Sequence, residues 1–311
     1  MTRSRVRSSF GLTLIGFGML AATAACGSDG SKSVAIADPM ARAEAAVAEQ
    51  DSVSVEMSVD ADLTTEFLGQ EVATHTTTSG EGEIRLRPTQ QGHLDMTTTV
   101  DVGGSPQRQK AEMVLDGTDA YMKIGGLSLA ELGAPNAKWL KMDLSELGAS
   151  GGQTYLDTLK GLTDVDKVGT ERIRDTDTIH YKGNVNWEAA AAKATTDTAR
   201  KLIEATSKAM PNAAVDVWID SDNRPRRMVM VMDMSQLGDN LDEMLDAMGM
   251  GELGVPADEI TMSGIQTIQI DYVEYGVEVD VEIPPANEVL DKSLSELMSD
   301  AATVETGEGA S

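Results

Sequence analysis

The chain has 311 residues, with 25 Lys and Arg against 51 Asp and Glu for a formal charge of −26, one Cys, 18 Met and three Phe. A surface this acidic is repelled by nucleic-acid phosphates and by anionic head groups, which argues against nucleic acid as a partner and against electrostatic docking of the body on a membrane. A fraction of 41% hydrophobic residues leaves ample material for a globular core.

The first segment carries Arg3, Arg5 and Arg7 without an acid, then the apolar run "FGLTLIGFGMLAATAA" at 10–25, then Cys26. A basic start followed by an apolar stretch too short to span a bilayer comfortably and by small residues is the pattern of an export signal. "TAAC" followed by "GSDGSKS" resembles the bacterial lipobox, whose cysteine becomes the acylated first residue of the mature chain; Thr23 stands where leucine is commonest. A buried Cys26 would fit poorly beside a Gly/Ser linker, and a disulfide-bonded one would need a partner in another chain. Acyl chains on Cys26 bury methylenes at about 0.8 kcal/mol each, so two or more hold a protein at a membrane. The expectation is a signal peptide at 1–25, a flexible linker with a lipidated Cys26 at 26–37, and a mature protein tethered to the outer face of the cytoplasmic membrane. Loss of the three signal arginines leaves 22 bases against 51 acids, a formal −29.

Residues 38–300 contain no internal linker and read as one domain, followed by a disordered tail at 301–311. "DPMARAEAAVAEQD" opens with Asp38 as N-cap and Pro39 at the first helical position. "SVSVEMSVDADL" alternates, placing Val53, Val55, Met57 and Val59 on one strand face. Further strands are expected in "HTTTSGEGEIRLRP", "GHLDMTTTVDV", "KAEMVLDGTDAYMKI" with a hairpin at Asp116-Gly117, "KWLKMDL" and "RIRDTDTIHYKG". The alanine-rich residues 186–210 predict one helix capped by Asn186. After it come "VDVWIDSDNRPRRMVMVMDM" with a turn at 222–225, a Met-rich amphipathic helix in "GDNLDEMLDAMGMG", and the strand "ITMSGIQTIQIDYVEYG". Many strands joined by tight turns imply antiparallel pairing. The fold class is therefore α+β: a large, curved antiparallel β-sheet, a half-barrel, with helices packed on its concave side.

Three stretches, "WLKMDLSELG" at 139–148, "VDVWIDSDNRPRRMVMVM" at 215–232 and "DYVEYGVEVDVEIPPANEV" at 271–289, resemble the LppX/LprG-type actinobacterial lipoproteins. That family shares the half-barrel of the LolA/LolB carriers, and the resemblance implies a bent sheet, plugged by helices, whose interior holds the acyl chains of lipids or glycolipids in transit. The present chain departs from that pattern by a Met-rich helical insertion at 238–258.

"RRMVMVMDMSQ" places Met228, Met230, Met232 and Met234 on a single strand face. Three accounts compete, in this order: ordinary core, the lining of a cavity whose soft walls adapt to a guest, and soft-metal binding. Metal ranks last because His75, His93 and His180 are scattered and Cys26 serves the anchor. Eighteen methionines against three phenylalanines tilt the balance toward a lining, since rigid cores favour branched and aromatic residues. The expected cavity wall is Met228, Met230, Met232 and Met234 with Val53, Val55, Met57 and Val59, and further Met113, Leu115, Trp139 and Met142. In the insertion, Leu241, Met244, Leu245 and Met248 form one helical face, which either simply covers the sheet or acts as a lid over the cavity mouth, with Gly238, Gly249, Gly251 and Gly254 as hinges.

The sequence contains no Walker loop, no G-x-S-x-G elbow, no H-E-x-x-H and no C-x-x-C. No catalytic residue, cofactor or metal is expected. The functional expectation is an anchored envelope lipoprotein that binds and carries a hydrophobic ligand, handing it to an envelope export or transport protein. The alternative is a non-carrying adaptor or sensor that meets a basic protein through its acidic surface.

Overall fold

The computed structural model describes residues 38–67, 70–132, 134–144, 161–192, 194, 196–247 and 260–291. The expected signal, Cys26, the linker, the C-terminal tail and Met248 lie outside the described residues.

The chain opens with helix α1 (Pro39–Ala48) and runs through six strands: β1 (Ser52–Phe67), β2 (Gln70–Arg85), β3 (Gln91–Val102), β4 (Ser105–Asp116), β5 (Asp119–Ile124) and β6 (Trp139–Asp143). A second run follows with β7 (Leu162–Ile173), β8 (Thr176–Val185), helices α2 (Trp187–Ala192) and α3 (Asp197–Ala209), β9 (Ala214–Asp220) and β10 (Pro225–Asp233). Helix α4 (Leu241–Ala247), β11 (Ile260–Tyr275) and β12 (Val289–Asp291) complete it. The twelve strands among the described residues share one open sheet in the order β12-β6-β5-β4-β3-β2-β1-β11-β10-β9-β8-β7. Every neighbouring pair is antiparallel except β12 and β6, which run parallel. Strands β1 to β5 form a meander of short connections, two helices separate β8 from β9 in the second run, and β11 joins the two runs by pairing with β1 along its whole length.

Turn chemistry explains the meanders. Gly117 adopts φ +65° between β4 and β5, and Asn223 adopts φ +62° between β9 and β10. There the Asp220 carboxylate accepts the backbone N–H groups of Asp222 and Arg224, both at 2.9 Å, and so closes the turn. Two glycines permit the sheet to bend. A Cβ on Gly82 would lie 1.9 Å from the His93 carbonyl oxygen, and one on Gly264, at φ +138°, would lie 1.9 Å from that of Asp62. No side chain fits between the strands at either place, so the backbones approach and the sheet curves. Architecture and class are thus those expected, an open α+β half-barrel.

One face, called inner below, carries Val53, Val55 and Val59 of β1, Ile268 and Ile270 of β11 and Val215 and Val217 of β9, all buried in one cluster with Met40 and Ala43 of α1, Leu202 and Ala205 of α3 and Met244 of α4. The helices therefore cover the inner face. Asp38 caps α1 by accepting from Met40 N at 3.0 Å, as expected. The long helix expected at 186–210 is instead two helices. Asn186 caps the first by accepting from Ala189 N, and Thr196 caps the second by accepting from Ala199 N. The physical reason is local: a threonine oxygen offers the backbone a better partner at a cap than in a helix interior. None of the described helices is long and apolar enough to cross a membrane.

Candidate functional site

Strand β10 sets the site. Its register places Met228 opposite Ile270 and Met230 opposite Ile268 on β11, with Val217 and Val215 of β9 on the other flank. Met228, Met230, Met232 and Met234 are 3–5% exposed and sit beneath α3 and α4 in the main cluster. Arg227, Val229, Val231 and Asp233 alternate onto the outer face. The stripe is therefore real and buried, and the protein's own helices cover it.

Beside the stripe lies an apolar hollow. It is lined by Val47 of α1, Val53, Val55 and Met57 of β1, Ile84 and Leu86 at the end of β2, Leu94 of β3, and Ile270, Tyr272 and Tyr275 of β11. Ile270 faces both Met57 and Met228 across its two neighbouring strands, so the hollow borders the methionines. The space inside is about 40 Å³, room for a water or two. Tyr272 and Tyr275 stack in parallel at one end with centroids 6.3 Å apart. The Tyr275 hydroxyl donates to the Pro225 carbonyl at 2.8 Å, and burial pushes its pKa well above the usual phenol value. The lining thus offers apolar surface and no side chain poised to move a proton.

Three of the expected wall residues, Val53, Val55 and Met57, line the hollow, and Val59 lies further along the same face. Met113 and Leu115 share the inner face on β4, through pairing with Met122 and Ala120. Trp139 and Met142 do not form one wall. Strand alternation places Leu140 and Met142 inward, opposite Met122 and Ala120, and therefore turns Trp139 outward. Lys123 Nζ sits 5.5 Å from the Trp139 ring on that outer side, and Met142 packs in a separate small cluster with Leu129, Leu140 and Leu290. Of the expected lid face, Met244 is 1% exposed in the main cluster and Leu241 is half-buried, while the Leu245 side chain and Met248 lie outside the described residues. Ile84, Leu94, Tyr272 and Tyr275 were missed as lining. The alternation in "GHLDM" carried the signal for Leu94, and that in "TIQIDY" the signal for Tyr272.

The outer face is a contrast in chemistry. Arg227 donates through Nε and Nη2 to the two carboxylate oxygens of Asp271, at 2.6 and 2.7 Å, and this pairing holds its guanidinium pKa above the usual value. Arg174 pairs with Glu56. His180 is stacked on Trp218 with centroids 4.2 Å apart, and its ring nitrogens meet Glu171 at 3.0 Å and Asp216 at 2.6 Å. Hydrogen bonds from Trp218 Nε1 first and His180 second hold the Glu171 carboxyl below its usual pKa. A broad, open groove of about 690 Å³ on this side is lined by Glu56, Glu81, Asp95, Glu112 and Asp271, with Lys110 as its base.

No known family model matches the chain, and no curated protein matches it. Among solved structures it is similar to the lipoprotein LppX of Mycobacterium tuberculosis, with 15% identity over 78% of this chain and 96% of that one and a TM-score of 0.37. It is also similar to LprF from Mycobacterium bovis, at 14% identity over 83% and 100% of the two chains and a TM-score of 0.42. A LolA superfamily protein from Nitrosomonas europaea matches at 10% identity over 79% and 93%, with a TM-score of 0.23. Likeness of this degree assigns no role to any residue.

Proposed function

We propose that the protein is an exported lipoprotein, anchored through acyl chains on Cys26, that shelters the acyl chains of a lipid, glycolipid or lipoprotein against the inner face of its sheet. The observation that carries this reading is the apolar hollow bordering a methionine stripe. At about 40 Å³ the resting hollow is far below the roughly 300 Å³ of a ligand pocket, so a guest must displace part of the helical cover. Methionine suits such a surface, because its unbranched thioether chain repacks at little cost.

The cover is unevenly fastened. Helix α1 is tied at one end by Arg42 Nε donating to Asn223 Oδ1 at 3.0 Å, and at the other by Arg87 donating to the Gln50 carbonyl at 3.1 Å. Helix α4 is joined to α3 by the solvent-exposed pair Lys208–Glu243 and buries Met244. Such a surface pair contributes about 0–1 kcal/mol, so α4 is the element that gives way. Burying roughly 300 Å² of acyl chain gains about 7 kcal/mol, enough to offset local displacement of a seven-residue helix. Residues 38–300 then act as the binding domain, the 238–258 insertion controls entry, and the acyl anchor keeps delivery local to an envelope export or transport protein.

Native mass spectrometry of protein purified from its own membrane, followed by organic extraction, tests the proposal. A bound lipid, or stoichiometric uptake of labelled fatty acid by the delipidated protein, is expected. A preparation that carries none and takes up none contradicts it. The outer-face groove of about 690 Å³ favours a second reading, an adaptor for a basic protein. That reading predicts no lipid and an affinity that falls steeply with salt.

A further inference from the structure

We propose that the uncovered distal end of the inner face, where β1, β2, β3 and β11 run on past the helices, docks a basic amphipathic helix of a partner protein. The strands stay paired there in two inward-facing rows. Leu63 lies opposite Thr74 and Gly264, and Thr74 lies opposite Val102; one step further out, Thr65 lies opposite Val72 and Met262. None of these side chains carries a charge. Higher on β2 and β3 the inner positions Ile84 and Leu94 are 9% and 6% exposed, whereas Val72 and Val102 are 44% and 46% exposed. A single exposed apolar residue needs no explanation. These two are diagonal neighbours across β2 and β3, on a face that already packs Leu63 and Met262 against the core.

The outer side of the same tip is acidic. Glu66 stands directly opposite Glu71, both are exposed, and neither meets a base among the described residues. Like charges directly opposite on paired strands repel, and a cation brought against them relieves the repulsion.

Size and charge choose the occupant. Four strands at about 4.8 Å spacing and about five residues at 3.3 Å give a surface of roughly 300 Å². Each partner in a stable protein–protein interface contributes about 800 Å². A second copy, with the same formal charge of −26, gains too little here to offset its repulsion. An anionic lipid surface is repelled by the same glutamates. A helix is about 10 Å across and covers the roughly 20 Å width of four strands in about 13 residues, so one helix fills the face. Its apolar stripe meets Val72, Val102, Leu63 and Met262, and Lys or Arg on its flanks reach round the edge of the sheet to Glu66 and Glu71. The contact is separate from the hollow and holds or fails independently of the lipid reading.

The probe is a synthetic leucine/lysine peptide of about 14 residues with leucine at i, i+3, i+4 and i+7. Its control is an isomer of the same composition whose leucines are scattered round the helix. Fluorescence anisotropy of the labelled peptides reads their affinity for the purified full chain, and circular dichroism verifies that each variant is folded. The amphipathic peptide should bind at least about tenfold more tightly than its isomer. Val72→Ser/Val102→Ser should weaken that binding about tenfold and leave the isomer's unchanged. Glu66→Gln/Glu71→Gln should weaken it severalfold and flatten its salt dependence. Equal binding of the two peptides is attraction to the acidic surface at large and overturns the proposal, as does binding that the valine substitutions leave unmoved. With p-benzoylphenylalanine in place of Val102, irradiation should crosslink the peptide. Crosslinks only to a second copy or within the same chain, undiminished by peptide, overturn the proposal, as does cosedimentation with phosphatidylglycerol vesicles that the valine substitutions abolish.

Discussion

The two faces of β10 are built on opposite principles. Inward, Met228, Met230 and Met232 pack by shape alone, and nothing in a thioether fixes one arrangement over another. Outward and around the adjoining turn, Arg227 grips Asp271 with two hydrogen bonds, and Asp220 receives two backbone amides and the side chains of Arg224 and Arg226. Directional bonds to buried charge are lost abruptly, whereas dispersion contacts among flexible chains can be exchanged for others. One strand thus carries a surface that can be remade on a surface that cannot. A carrier needs both, a yielding wall and a frame that holds register while the wall repacks.

Substitutions break this comparison in a definite order. Asp220→Ala should have the largest effect, about 3–4 kcal/mol in urea denaturation, because it strands Arg226, which is largely buried, and opens the β9–β10 turn. Met230→Ala should cost about 2–3 kcal/mol by leaving a cavity. Met230→Leu should cost less than about 1.5 kcal/mol, yet it should slow uptake of labelled fatty acid by stiffening the wall. Equal uptake rates for Leu and Met at position 230 would separate the methionines from any role in entry.

The smallest effect is set by pH. The Glu171 carboxyl is held below its ordinary 4.5 by Trp218 and His180, so its contribution is complete above the unfolded value and is lost as pH falls through the lower, folded value. Thermal melts from about pH 7 down to about pH 3 should show Glu171→Gln less stable than wild type at neutral pH, with the gap closing in acid. A gap that persists unchanged in acid would remove the charge from the explanation.

Much of this was legible in the sequence because its signals are local. Alternation in "SVSVEMSV" and "RRMVMVMDM" predicts the inner face, Asp38-Pro39 predicts the start of α1, and Asp116-Gly117 predicts a hairpin. What was not legible depends on pairing between distant residues. The hollow is closed by Ile84 and Leu94 on one side and Tyr272 on the other, and only the return of β11 to β1 brings these together. Trp139 was grouped with Met142 although an odd spacing separates them, because β6 has only five residues, too few to make alternation plain. The three residues of β12 lie below any periodic signal. The three histidines are scattered along the chain, and only the register of β1, β2 and β3 brings His75 into line with Asp62 and Asp101.

Photocrosslinking with a diazirine-bearing fatty acid, mapped by peptide mass spectrometry, tests most directly whether the guest replaces the helical cover over the methionines. Adducts should concentrate on β10 from Met228 to Met234 and on the β1 and β11 residues of the hollow, and excess unlabelled fatty acid should suppress them. Labelling confined to the outer face, or none that competitor reduces, would contradict the account.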